Sequence, residues 1–356
     1  MLVFVVLLLV PILIQHVSLS GGNADYRKKN TVAITFFFLF LTFLVAFRHE
    51  SVGNDTRNYI SFFNRYSYMD WGSIVKESLE LGFIYFNKIV SLFAKDAHFF
   101  QAITAIITSV LIYPTYKRLC VDASLTIMLY CTMSTFVLMF SGIRQMLAVG
   151  IGFIAYEFTR NKKIIPFILV VILAILFHMS AFMLAFMYPL YHVKITKKCL
   201  YAIIPGFVLA FVFNKQIFTV IGLLLERYTK YDASIVSTGA YTMLMLFSLF
   251  AIFAFLIPEE SLLDEETISM RNFLLFALGI QMFAPLHTIA MRMNYYYIIF
   301  IPLLIPKIIS SRSKRWKQIA VLGRHVMLVF FFVYFFISAK DGVLHVFPYY
   351  FFWETI

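Results

Sequence analysis

Long apolar runs, separated by short polar and basic segments, dominate the pattern along this chain. A helix that crosses a bilayer needs roughly 20 mostly apolar residues. By that measure, runs near 2–19, 31–47, 98–116, 123–140, 143–159 and 164–177 predict crossing helices. So do runs near 178–191, 199–214, 240–257, 272–290, 293–309 and 319–338. The expected fold is all-α: a polytopic transmembrane helical bundle of about 12 spans, built as one integral-membrane domain over 1–356.

The segments between the runs set the topology. Basic residues fall at Arg27, Lys28 and Lys29, at Lys117 and Arg118, and at Arg160, Lys162 and Lys163. They recur at Lys194, Lys197 and Lys198, and densely over 310–318. These are alternate loops, and cytoplasmic loops carry an excess of Lys and Arg. One assignment puts all of them inside, leaving 18 of the 30 Lys and Arg in the cytoplasm and 12 outside. Six of those 12 lie in one long outer segment, 48–97, where the rule has little force. The opening run has no basic stretch before it, and its positive charges follow it. It reads as an uncleaved first span with its N-terminus outside, not as a signal peptide.

Three stretches depart from a plain up-and-down reading. Residues 82–95 are apolar on one face but carry Asn87 and Lys88, which predicts an interfacial helix within the outer-face loop 48–97. Residues 164–191 are too few for two full spans between basic loops. They predict a broken or re-entrant hairpin with His178 and Ser180 near its tip. Residues 258–271 hold five carboxylates and read as a solvated acidic loop on the cytoplasmic side.

Composition narrows the class further. Of 356 residues, 62% are apolar and 13% charged. A soluble domain averages about 45–50% and about 25%. One soluble core cannot hide that excess, which excludes a water-soluble fold, a disordered chain and a disulfide scaffold. The net charge of +12 would suggest nucleic acid on a soluble domain, but here it is divided between two membrane faces and implies no such partner. Cys120, Cys131 and Cys199 have no metal-ligand spacing and read as small apolar residues.

On this topology the polar residues of interest collect at the outer face. The end of the second span carries Arg48, His49, Glu50 and Asp55, and a later outer turn carries Arg144 and Gln145. The hairpin tip carries His178 and Ser180, and further outer segments carry Glu226, Arg227, His287, Arg292 and Asn294. Each has an ordinary structural reading: an arginine can anchor at the interface, a histidine can pack, and Asp55 can cap a helix or close a turn. Convergence of several arginines, histidines and a carboxylate on one face favours a site, because ionisable groups at membrane depth are costly. Phosphate-loop, dinucleotide, His-Glu-x-x-His and G-x-S-x-G patterns are missing, so no cofactor, metal or cytoplasmic nucleotide chemistry is expected.

Arginines suit pyrophosphate, because the guanidinium forks onto oxyanions and stays charged. A lipid-linked pyrophosphate sugar is an activated donor already resident in the membrane. Arginines could stabilise the charge that develops as its glycosidic C–O bond breaks, while a histidine or carboxylate takes the acceptor's proton.

Five motifs then carry a resemblance. They are R-x-x-x-x-G-x-D-T-x-x-Y (Arg48, Gly53, Asp55, Thr56, Tyr59), E-L-G-F from Glu80, I-R-Q-x-L-A from Ile143, F-H-x-S-A from Phe177, and M-R-M-N-Y-Y around Arg292. Their order and spacing resemble the EpsG-like and Wzy-like exopolysaccharide and O-antigen polymerases over essentially the whole chain. Asn54 stands where that family more usually has Thr. The resemblance implies a membrane glycosyltransferase acting at the outer face of a bacterial cytoplasmic (inner) membrane. A growing glycan would move from undecaprenyl pyrophosphate onto an incoming lipid-linked repeat unit, delivered by a flippase and subject to a chain-length regulator. It assigns Arg48, Arg144 and Arg292 to pyrophosphate, His178 to general base or proton relay, and Asp55 to a competing base. Glu80, Gln145, Ser180 and Arg227 become sugar contacts.

Two alternatives remain open. A lipid-linked oligosaccharide flippase also needs intramembrane arginines, although no half-to-half similarity of the kind many transporters show is visible. A lipid-linked glycan ligase shares donor and mechanism and differs only in acceptor. A sugar O-acyltransferase predicts inner-face clusters, which this topology does not give.

Overall fold

The computed structural model describes residues 2–16, 23–74, 76–224, 238–340, 342 and 346–355. Regular structure among them is helical, with two isolated β-bridges. The expected all-α bundle is what the chain forms. It packs as two compact units, Met1–Ala185 with Val321–Ile356, and Phe186–Ala320.

In chain order, the first unit holds α1 (Leu2–His16), α2 (Asn23–Ala46), α3 (Thr56–Tyr68), α4 (Trp71–Ile74), α5 (Leu81–Phe93) and α6 (Ala97–Leu119). It continues with α7 (Ala123–Thr132), α8 (Ser134–Ser141), α9 (Ile143–Arg160) and α10 (Ile164–Phe177). The second unit holds α11 (Met187–His192), α12 (Leu200–Val212), α13 (Asn214–Leu224), α14 (Thr238–Leu256), α15 (Glu265–Gln281), α16 (Thr288–Ile298) and α17 (Ile301–Ser310). The last helix, α18 (Lys317–Lys340), returns to the first unit from Val321 onward.

Four helical stretches are long and apolar enough to cross a membrane singly: Tyr26–Ala46, Ala97–Leu119, Gly239–Leu256 and Lys314–Ala339. Counting three bent pairs as one span each raises this to seven among the described residues. The pairs are α7 with α8, bent by 62°, the stretch Lys197–Val212 with Asn214–Val220, bent by 76°, and α16 with α17, bent by 46°. Other expected crossings coincide with shorter or more polar helices. α1 has 15 residues and α10 has 14, while α9 carries Arg144, Glu157 and Arg160. The outward faces are apolar: Ile165 is 71% exposed, Leu169 62% and Leu322 64%. Apolar surface on that scale belongs against lipid rather than water.

Polar side chains tie the helices of the first unit together at one end. Gln15 donates to Asp122 (3.1 Å) and accepts the Ser124 N–H (2.7 Å). Asn30 donates to the Val121 carbonyl (2.9 Å) and accepts the Ala123 N–H (3.0 Å). Arg324 pairs with Asp122 (2.5 Å) and Arg118 with Glu157 (2.7 Å). The basic segments at 27–29, 117–118 and 160–163 therefore share this end. Helices α2, α6, α9 and α10 lead away from it, and the candidate residues lie where they finish or begin.

In the second unit the acidic stretch is mostly exposed and carries two ion pairs. Residues 260–262 form a 3-10 turn, and Glu260 grips buried Arg271 at 2.8 and 3.1 Å. Asp264 caps α15 by accepting the Thr267 N–H (2.6 Å) and pairs with Lys307 (2.9 Å). Pro258 bridges Arg312, so the acidic stretch and the basic segment after α17 meet on one side.

Candidate functional site

The segment between α2 and α3 is built to bring its backbone against the end of α8. Gly53 adopts φ +93°, and a Cβ there would stand 2.5 Å from the Phe140 carbonyl oxygen. Only glycine fits both demands. The Thr56 hydroxyl reaches the Val52 (2.6 Å) and Phe140 (3.2 Å) carbonyls, and the Asn54 N–H donates to Ser141 Oγ (3.2 Å). This lays the G-x-D-T segment beside the turn that opens α9, where Arg144 and Gln145 stand. Asp55 precedes α3, half-exposed, and its carboxylate makes no hydrogen bond or ion pair among the described residues.

Arg144 is the centre of what the fold assembles. Its Nη1 donates to Glu80 Oε2, and its guanidinium also hydrogen-bonds the buried Tyr59 hydroxyl. The ring of Phe83 lies 5.9 Å below, and Arg144 Nε is buried with no partner. The other Glu80 oxygen, Oε1, accepts the Met179 N–H (3.1 Å). One carboxylate thus joins Arg144 to the segment that follows α10. Gly82 makes that approach possible, since a Cβ there would stand 2.7 Å from the Leu176 carbonyl oxygen. Tyr59 lies one helical turn from Asp55, its N–H bonded to the Asp55 carbonyl (3.0 Å).

α10 ends at Phe177, His178 is extended, and a 3-10 helix runs over Met179–Phe186. His178 Nδ1 accepts the Ser180 N–H (3.3 Å) and lies 2.8 Å from the Ser180 hydroxyl, which Gln145 Nε2 approaches at 3.4 Å. A backbone N–H can only donate, so a neutral His178 carries its proton on Nε2. The same device recurs twice. His49 Nδ1 accepts the Ser51 N–H (3.2 Å), and His287 Nδ1 accepts the Ile289 N–H (3.0 Å) at the start of α16.

Arg48 sits apart from this cluster's ion pair. It is fully buried, its Nη1 donates to the Val45 carbonyl at the end of α2, and its Nε and Nη2 have no partner. Burial pulls its pKa down to about 10, so it stays charged at neutral pH. The C-terminal segment lies over it. Arg48 bridges Phe351, the His49 N–H donates to the Tyr350 carbonyl (2.9 Å), and the Tyr349 hydroxyl donates to the Leu44 carbonyl (2.8 Å).

The fold therefore brings Arg144, Glu80, Gln145, His178 and Ser180 together and sets Asp55 one turn from their edge. Arg292 belongs to the second unit, exposed on α16. Arg227 lies outside the described residues. Sequence reasoning placed Tyr59 in the first motif but gave it no role, although it stands one turn after Asp55 at the start of α3. It also passed over the 346–355 segment and the fully buried Gln101, whose amide atoms are both unpartnered. Chemically, the cluster offers an arginine with a free edge, an imidazole N–H donor and a nearby unpaired carboxylate. That set can hold an oxyanion and take a proton from a hydroxyl.

A family model described as the EpsG family matches residues 31–351. No curated protein and no solved structure matches the chain.

Proposed function

Because the chain belongs to the EpsG family, a family of Wzy-like polymerases, we propose that it elongates a polysaccharide by transfer from a polyprenyl pyrophosphate. The growing glycan leaves undecaprenyl pyrophosphate and joins a hydroxyl of an incoming lipid-linked repeat unit, at the outer face of a bacterial inner membrane. The C–O bond between the anomeric carbon and the pyrophosphate breaks, and a glycosidic C–O bond forms. Undecaprenyl pyrophosphate departs with the bonding pair, and the acceptor hydroxyl gives up its proton.

The observation that supports this most is the Arg144–Glu80 pair, joined through the Met179 N–H to the His178 segment. Glu80 and Tyr59 hold the guanidinium, while its buried Nε remains unpartnered. That edge meets a pyrophosphate oxygen and stabilises the charge that grows as the bond breaks. His178 donates from Nε2–H, since its Nδ1 already accepts from Ser180. A base needs an acceptor, so Asp55, with no partner, takes the proton. Gln145 and Ser180 lie beside His178 and contact sugar hydroxyls. Arg48 supplies further positive charge toward the pyrophosphate or glycan.

Deleting the gene and resolving the cell's glycans on a gel tests this directly. A single capped repeat in place of a ladder is the expected result. Loss of every repeat, the first included, would point to a flippase, a ligase or an earlier step.

A further inference from the structure

Arg48 poses a problem of access. Its side chain is 0% exposed, and a group with no accessible surface meets no ligand unless something over it moves. The segment before α3 is held too firmly to be that part. Gly53 has no room for a Cβ against Phe140, and Thr56 and Asn54 bond to Phe140 and Ser141. On the other side Val45 belongs to α2, a 24-residue helix.

The C-terminal segment 346–355 is attached differently. One isolated bridge joins Phe351 to Arg48, through the His49 N–H to the Tyr350 carbonyl and the Phe352 N–H to the Phe47 carbonyl, both 2.9 Å. In that pattern residues 48 and 351 are the close, non-hydrogen-bonded pair, with both side chains on one side of the ladder. Tyr349, two residues before Phe351, shares that side. Its hydroxyl donates to the Leu44 carbonyl (2.8 Å), next to the Val45 carbonyl that Arg48 Nη1 holds. Beyond the bridge the segment turns on itself, the Phe351 N–H donating to Glu354 Oε2 (2.6 Å), and Trp353, Glu354 and Thr355 are exposed.

Two opposing effects act on this cover. Ring contacts of Phe347 and Tyr349 with Phe4, at 4.7 and 5.6 Å, favour closure. The guanidinium opposes it, because closure strips water from a charge whose Nε and Nη2 have no partner among the described residues. Those two nitrogens form the edge of an arginine that takes two oxygens side by side. An oxyanion there cancels the opposing effect and leaves the ring contacts unopposed. We propose that 346–355 is a strap, which opens to admit a diphosphate to Arg48 and closes on it once the charge is paired. This rests on the polymerase reading above, and it adds the part that moves and the order of events.

The test is amide hydrogen exchange over 346–354 in purified full-length protein in phosphatidylcholine nanodiscs. Saturating C55 polyprenyl pyrophosphate is expected to slow exchange of that segment at least fivefold, and C55 polyprenol to leave it unchanged. Arg48→Met removes the charge that opposes closure, so its segment should exchange slowly from the start and ignore the pyrophosphate. No slowing in the parent would overturn the proposal, as would a segment in Arg48→Met that exchanges as fast as the parent's. Equal slowing by phosphatidylglycerol nanodiscs without pyrophosphate would make the ligand a bilayer head group and overturn it too.

A lock tests the need to open. Phe47 and Phe352 stand opposite each other across the bridge, where Cα atoms are about 5.5 Å apart, within disulfide reach. In a Cys199→Ser background, Phe47→Cys with Phe352→Cys should lose at least tenfold in glycan elongation when oxidised and recover it with dithiothreitol. Oxidised protein that elongates at the reduced rate would sink the strap. Should the reduced pair fail to fold, the exchange result on the parent still decides. A deletion strain that keeps its glycan ladder would remove the polymerase reading alone. A lost ladder with exchange indifferent to pyrophosphate would remove the strap alone.

Discussion

Among the described residues two arginines are almost wholly buried, and they are treated in opposite ways. Arg271 lies in the second unit with two bonds to Glu260, one to the Ile195 carbonyl (2.9 Å) and the Phe255 ring 4.1 Å away. Arg48 lies in the first unit with one bond to a carbonyl at the end of α2 and two nitrogens unpartnered. A buried charge without a counter-charge is expensive, and the negative end of a helix offsets only part of it. Arg271 has what a structural fastening needs. Arg48 keeps capacity for an anion. Arg144 stands between them, paired yet with an edge left over.

Breaking the fastening should have the largest effect. Glu260→Ala leaves Arg271 buried and unpaired, which costs about 3–5 kcal/mol. Thermal unfolding in detergent should show a midpoint well below the parent's, and accumulation in cells should fall. An unchanged midpoint would show that Arg271 does not depend on its partner. Arg144→Ala should instead leave the midpoint near the parent's and reduce transfer about 10²–10³-fold, the usual loss for one oxyanion-stabilising donor. Glycan length at matched protein levels measures it, and full-length polymer would remove Arg144 from the reaction.

Arg48→Met sharpens the contrast between the two buried arginines. Replacing an uncompensated charge with an apolar side chain of similar length should leave stability equal or higher, while polymer yield falls. A lower midpoint with normal polymer would make Arg48 a fastening like Arg271. Tyr59→Phe removes a single hydrogen bond to Arg144, worth about 1 kcal/mol, and should slow transfer roughly fivefold in a single-turnover assay.

The smallest effect belongs to Asp264. Burial alone would raise its pKa, but the Thr267 hydrogen bonds and the Lys307 ammonium outweigh it and hold the carboxyl below its usual value. A depressed folded pKa adds stability that is present above the unfolded pKa and lost as pH falls through the folded one. An acid titration of the parent should show that loss below about pH 4, and Asp264→Asn should lack it. Identical acid profiles would mean the pair contributes nothing.

Much of the site was legible because its residues lie in short runs that punctuate apolar blocks. Arg144, Gln145, Glu80, His178 and Ser180 stand out where charge or polarity interrupts an apolar stretch, and an unpaired polar group there needs partners. What joins them was not legible. The Glu80 bond to the Met179 N–H spans 99 positions, and no periodicity encodes it. The cover over Arg48 comes from 346–352, an aromatic segment whose backbone pairs with residues about 300 positions away. The ion pairs of the acidic stretch were not legible either, since Arg271 and Lys307 sit within helices whose neighbours are mostly apolar. The bends were equally hidden, because hydropathy measures the length of an apolar run and not its direction.

α10 has 14 residues, about 21 Å of helix, and its outward side is strongly exposed at Ile165, Leu169 and Ile172. A typical hydrocarbon core is about 30 Å thick. α10 alone therefore falls about 9 Å short of that thickness. The backbone that turns after it has its amides already taken up, the Met179 N–H by Glu80 and the Ser180 N–H by His178. A chain whose polar backbone is satisfied from within can turn back at membrane depth without meeting hydrocarbon unpaired.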